Sequence, residues 1–200
     1  THHNTLDADL YLRVSNELYL KRLLIGNFPK VYEIYKAFRN EGIDVTHYPE
    51  FTMIEFYESY SSATLQMEFV EHLLRNLLKK LFKKTSFLYN EATIEFGKPF
   101  KRISYFSALS QYALFPKIHE ASREELFLKA QQLGVLVDKS DSREKLLDGI
   151  FKKACRPKMT QPTIITDYPI HMFPLAKKKE GSDTLVDAFQ LVIGGIELAK

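Results

Sequence analysis

Two hundred residues, 45% hydrophobic and 26% charged, describe ordinary globular material in one domain or one domain with a small insertion. A formal net charge of +3 permits an anionic partner such as a nucleotide or RNA without demanding one. The single cysteine, Cys155, excludes an intrachain disulfide scaffold and suits a reducing compartment. No apolar run approaches the ~20 residues of a membrane helix, and the polar opening Thr1-His2-His3-Asn4 is no signal peptide, so a soluble cytoplasmic protein is expected.

Taken in chain order, residues 17–25 (ELYLKRLLI) combine good helix formers with Leu18, Leu20, Leu23 and Leu24, and Gly26 follows as a stop, which predicts a short helix. Residues 31–38 (VYEIYKAF) and 51–60 (FTMIEFYESY) are rich in β-branched and aromatic side chains and read as two strands. The polar stretch from Arg39 to Glu50, with Gly42 and Pro49, then becomes a long hairpin loop. Residues 66–83 place Leu73, Leu74, Leu77, Leu78, Leu81 and Phe82 at helical spacing, among Arg75, Lys79, Lys80 and Lys83. That basic face reads as solvated surface before it reads as an RNA-binding stripe.

Further on, Ser122-x-x-Glu125 is a capping box opening a helix that Gly134 can close, and Asp141-x-x-Glu144 predicts another ending before Pro157. These form a small helical insert at about 118–156. Residues 163–168 and 189–198 return to strand composition, with Gly194-Gly195 able to supply a tight turn. Runs of strands and runs of helices without regular βα alternation argue α+β with a mainly antiparallel sheet. The first residue is not methionine and the last ones still read as strand, as expected for a piece of a longer chain.

Strand alternation sends Phe51, Met53, Glu55 and Tyr57 to one face and Thr52, Ile54 and Phe56 to the other. A carboxylate among aromatic residues is costly to bury without a cation. Glu55 beside Tyr57 would suit a ligand ammonium, and a salt bridge to a lysine or arginine of the fold would satisfy it equally. The loop carries Arg39, Glu41 and His47: a guanidinium matched to phosphate or carboxylate, an acceptor and a titratable donor. A solvated loop would carry the same charges.

Residues 38–60, FRNEGIDVTHYPEFTMIEFYESY, resemble motif 2 of class II lysyl-tRNA synthetases nearly residue for residue. The resemblance extends to THHNTLDADLYLRVSNELYLKRL at the start, FKRISYFSAL at 100–109 and RPKMTQPTIITDYPIHMFPLAKK ending at 178; the helical insert is its weakest part. It implies an antiparallel sheet flanked by helices, carrying lysine and ATP, with the lysine carboxylate attacking the α-phosphate. Arg39 resembles the arginine bridging that carboxylate and the α-phosphate. Glu41 and His47 are similar to loop residues that meet ATP, and Phe51 to the aromatic residue stacked on adenine. Glu17 resembles the glutamate for the α-amino group, Glu55 and Tyr57 the pair facing the side-chain ammonium, and Glu197 a carboxylate coordinating Mg2+ on the phosphates.

Three positions depart from that pattern: Gln190 stands where many relatives carry a second metal-binding glutamate, Tyr48 replaces a common asparagine, and Lys200 falls where an asparagine is usual. Motif 1, motif 3 and the anticodon-binding domain are not found in these residues. The resemblance implies a lysine–tRNA ligase catalytic core acting on lysine, ATP and tRNA(Lys), homodimeric in the full-length protein. A paralogue ligating lysine to a protein and a noncatalytic lysine or nucleotide sensor are the rival expectations.

Overall fold

The computed structural model describes residues 1–40, 42–43 and 47–200, and the chain forms two compact units, Thr1–Ser61 and Ser62–Lys200. Among the described residues, no helix is long and apolar enough to cross a membrane.

The first unit opens with a two-residue ribbon, β1 (His2–His3) against β2 (Ala8–Asp9), followed by helix α1 (Glu17–Ile25). Strands β3 (Lys30–Phe38) and β4 (Glu50–Glu58) then pair antiparallel in unbroken register from Lys30 opposite Glu58 to Phe38 opposite Glu50. With no bulge, the period of two holds along the whole hairpin. Val31, Glu33, Tyr35 and Ala37 therefore share a face with Tyr57, Glu55, Met53 and Phe51. Helix α1 packs against both strands, and among the described residues of this unit Leu20, Tyr35 and Ala37 are the buried apolar side chains. Tyr32, Ile34 and Ile54, at the intervening positions, are exposed. The helix and both strands were predicted; β4 stops at Glu58, and Tyr60 adopts a left-handed backbone (φ 58°) that no strand continues.

The second unit begins with α2 (Ala63–Phe82), three residues earlier than its leucine spacing suggested, because the Ser62 hydroxyl accepts from Leu65 N at 3.3 Å and caps it. A hairpin follows, β5 (Ser86–Tyr89) with β6 (Ala92–Glu95), turning through Asn90 and Glu91 at φ 44° and 63°. Strand β7 (Lys101–Ser104) runs directly into α3 (Tyr105–Tyr112); neither β5, β6, β7 nor α3 was read from pattern, since each is short. Helices α4 (Arg123–Gln132) and α5 (Arg143–Ile150) occupy the predicted helical insert, and α4 has the expected reciprocal capping box between Ser122 and Glu125.

The second predicted box is corrected. Helix α5 is capped by Ser142, whose hydroxyl accepts from Lys145 N at 3.2 Å, whereas the buried Asp141 carboxylate accepts from Asp138 N at 2.8 Å and pairs with Lys145 at 2.5 Å. Nor does helical geometry end before Pro157. A π-turn, Phe151–Cys155, and a 3-10 turn, Arg156–Lys158, extend it, and Pro157 fits near the start of that last turn, where a missing N–H costs nothing.

Strands β8 (Thr163–Thr166), β11 (Gln190–Ile193) and β12 (Ile196–Ala199) complete a four-stranded sheet in the order β12-β11-β8-β7, while β9 (Tyr168–Pro169) and β10 (Leu185–Val186) form a separate pair. Pairing is antiparallel throughout except for β7 with β8, which run parallel because α3 and the helical insert carry the chain between them. The core of this unit joins Tyr105, Leu109, Leu126, Leu147, Ile150 and Phe151 to Ile165, Tyr168 and Val192. Gly194 and Gly195, at φ 58° and 79°, make the two-residue turn between β11 and β12 expected from sequence.

Candidate functional site

In the first unit, α1 meets the β3–β4 face through two carboxylates. Glu33 and Glu55 are direct cross-strand partners, and residues Arg13 to Asn16 lie over them. Glu33 takes Arg13 NH1 at 2.9 Å and the Asn16 side-chain amide. Glu55 takes no lysine or arginine among the described residues. Its Oε2 accepts from the Tyr35 hydroxyl at 2.7 Å and from Asn16 N at 3.1 Å, and its Oε1 has two longer contacts, Ser15 Oγ at 3.3 Å and the Tyr57 hydroxyl at 3.4 Å. Asn16 N also donates to the Tyr35 hydroxyl at 3.1 Å.

This explains the docking of α1. Its N-cap, Asn16, makes no side-chain capping bond, and its amide is turned instead toward Glu33 while its backbone N–H reaches Glu55. Two carboxylates at a helix N-terminus complement its partial positive charge. Burial raises the Tyr57 phenol above its ordinary value, with the Glu55 and then the Glu17 charge adding to the effect. The Tyr35 phenol is also raised, first by burial and then by its bond to Glu55. Both phenols therefore stay protonated near neutrality and serve as donors to a carboxylate.

Glu17, Glu55 and Tyr57 come together; Glu17 is bridged to Lys21 at 2.5 Å, one turn along the helix, and the Lys21 ammonium lies 5.9 Å from the centre of the Tyr57 ring. Arg39 donates Nε to Val14 O at 3.3 Å and holds its guanidinium 5.2 Å from the Phe51 ring centre, so one face of Phe51 is met by a cation. His47 is exposed. Glu41 lies outside the described residues. Ser15, Asn16, Glu33 and Tyr35 were missed; the period of two along 31–38 marks Glu33 and Tyr35 as one face, and only the register shows which residues they oppose.

In the second unit, Gln190, Glu197 and Lys200 line a cavity of about 380 Å³ together with Tyr168, Arg156 and His171. The Tyr168 hydroxyl donates to Gln190 Oε1 at 2.5 Å, and the Lys200 ammonium lies 5.6 Å from the Phe173 ring centre. Burial raises the Tyr168 phenol, and the Tyr105 hydroxyl and Glu197 add smaller effects. Among the described residues no three histidine, cysteine, aspartate or glutamate side chains are grouped to hold a metal ion. Glu197 thus offers one hard oxygen ligand beside a neutral amide, a set that fits Mg2+ only when other oxygen ligands arrive with it.

A family model described as tRNA synthetases class II (D, K and N) matches residues 1–200. Among curated proteins, the chain is similar to the lysine–tRNA ligase of Christiangramia forsetii, 44% identical over 200 residues covering all of this chain and 35% of that protein. It is likewise similar to those of Shewanella loihica, 40% identical over 207 residues, and Escherichia coli, 39% over 203; each match takes in the whole chain and 41% and 40% of the relative. The chain therefore spans about two fifths of the length of the curated relatives it matches.

Proposed function

Because the chain belongs to the class II tRNA synthetases of the D, K and N group, we propose that it is the amino-acid-activating part of a lysine–tRNA ligase, which joins lysine to ATP as an adenylate and transfers it to tRNA(Lys). The observation that carries the choice of lysine is Glu55. It is a half-buried carboxylate with no cation of the protein beside it among the described residues, and two phenols and a hydroxyl aim at it. A ligand ammonium supplies the missing charge, and a neutral amino acid would leave the carboxylate unpaired.

In this reading the lysine ammonium meets Glu55 and Tyr57, and Glu17 receives the α-amino group. Arg39 binds the substrate carboxylate and the α-phosphate, where its guanidinium matches both charges and offsets the charge that builds as the carboxylate oxygen attacks phosphorus and pyrophosphate leaves. Phe51, His47 and Glu41 serve the nucleotide. Catalysis rests on positioning and electrostatics, with no covalent enzyme nucleophile. Glu197 would hold Mg2+, which neutralises phosphate charge when bound together with ATP. Dimerisation and a cytoplasmic setting belong to the same proposal.

The test is lysine-dependent exchange of pyrophosphate into ATP by this chain, with ornithine, arginine and no amino acid as controls. Exchange with lysine alone supports the proposal. Lysine binding without exchange would reduce the chain to a binding module, and no lysine binding by calorimetry would overturn the reading.

A further inference from the structure

The two oxygens of Glu55 are held unequally. Oε2 receives two donors at 2.7 and 3.1 Å, enough to occupy both of its lone pairs, whereas the two contacts to Oε1 are long, at 3.3 and 3.4 Å. The shortest of the four bonds comes from Tyr35, a residue 4% exposed whose ring is covered by the Arg13 guanidinium at 4.6 Å. Arg13 is itself fixed by Glu33 at 2.9 Å and by Lys36 O at 3.1 Å, so ring and hydroxyl are both locked. Asn16 N, donating to the Tyr35 oxygen and to Oε2, closes a triangle that admits one orientation of the carboxylate.

We infer that Tyr35 is a positioning residue that sets substrate length: by tying down Glu55 Oε2 it turns Oε1 toward the ligand at a fixed depth for an ammonium four methylenes from the α-carbon. This deepens the lysine reading and rests on it. Tyr57, on the Oε1 side, can touch the substrate; Tyr35 acts only through Glu55. A carboxylate freed from Tyr35 could swing toward the shorter reach of ornithine, so the loss is one of discrimination as well as affinity.

The experiment is calorimetric titration of the full 200-residue chain and its Tyr35→Phe variant with lysine, ornithine and ATP. Phenylalanine keeps the ring beneath Arg13 and removes only the hydroxyl. The expected result is a lysine Kd raised about tenfold, a ratio of ornithine to lysine Kd lowered at least about threefold, and an unchanged ATP Kd. The ratio is insensitive to the fraction of folded protein, because misfolding weakens both amino acids equally. An unchanged ratio, with or without weaker binding, would overturn the inference while leaving the lysine reading intact. A wild-type chain that binds ATP and no lysine would overturn the reading and this inference together.

Discussion

Glu33 and Glu55 face each other across the β3–β4 hairpin, and among the described residues only Glu33 has a cation of the protein beside it, Arg13 at 2.9 Å. Like charges directly opposite on one sheet face repel, so the pair is fully compensated only when a second positive charge reaches Glu55. Helix α1 supplies part of that compensation through Asn16 N, and the proposed substrate ammonium supplies the rest.

Glu55→Gln removes the opposing charge and keeps the shape. Lysine binding should weaken by about 2–3 kcal/mol, roughly 30- to 150-fold, with ATP binding unchanged, as measured by calorimetry with each ligand. Equal loss of both ligands would show that Glu55 serves only to dock α1.

Arg39→Ala should lower the rate of adenylate formation at saturating lysine and ATP by about a hundredfold or more, because its charge matters most as the phosphorus is attacked. Rapid-quench measurement of adenylate gives the rate directly, and an unchanged value removes Arg39 from the chemical step.

Tyr105 and Tyr168 make the stability of the second unit alkali-sensitive. Both are fully buried, and burial raises each phenol above its ordinary value of 10.0. Their folded pKa exceeds the unfolded one, so their contribution is fully present below pH ~10 and is lost as pH rises, at up to about 1.4 kcal/mol per pH unit for each. Urea unfolding at pH 9 and 11 measures the fall. Tyr105→Phe should make it shallower, and at neutral pH should leave stability unchanged or raise it, because the Tyr105 hydroxyl is buried without a partner among the described residues. Destabilisation by more than about 1 kcal/mol would mean that the hydroxyl is bonded in solution.

Gly194→Ala puts a Cβ on a left-handed residue and drives it to 2.9 Å from Cε1 of Tyr89. A loss of about 1–3 kcal/mol is expected, read as a drop of several degrees in Tm. An unaltered Tm would show that this turn tolerates another geometry.

The hairpin of the candidate site was legible because its two strands carry β-branched and aromatic residues in alternation, and because a polar loop with Gly42 and Pro49 separates them. Glu55 and Tyr57 could be put on one face from the period of two alone. The Ser122 capping box and the Gly194-Gly195 turn were equally legible, since their chemistry is complete within a few residues. Asp141 misled because it and Ser142 are both good cap residues, and the choice fell to Ser142 once Asp141 was taken by Asp138 N and Lys145.

The sequence by itself thus determined the local elements and the residue types available for lysine and phosphate, because propensity, alternation and capping act over short spans. Only the tertiary structure decided that Arg13 goes to Glu33 and not to Glu55, that Tyr35 and Asn16 hold one oxygen of Glu55, and that β7 pairs parallel with β8. Those relationships join residues 20 to 62 positions apart. Strand register and helix docking set which charge meets which, and neither leaves a periodic trace along the chain.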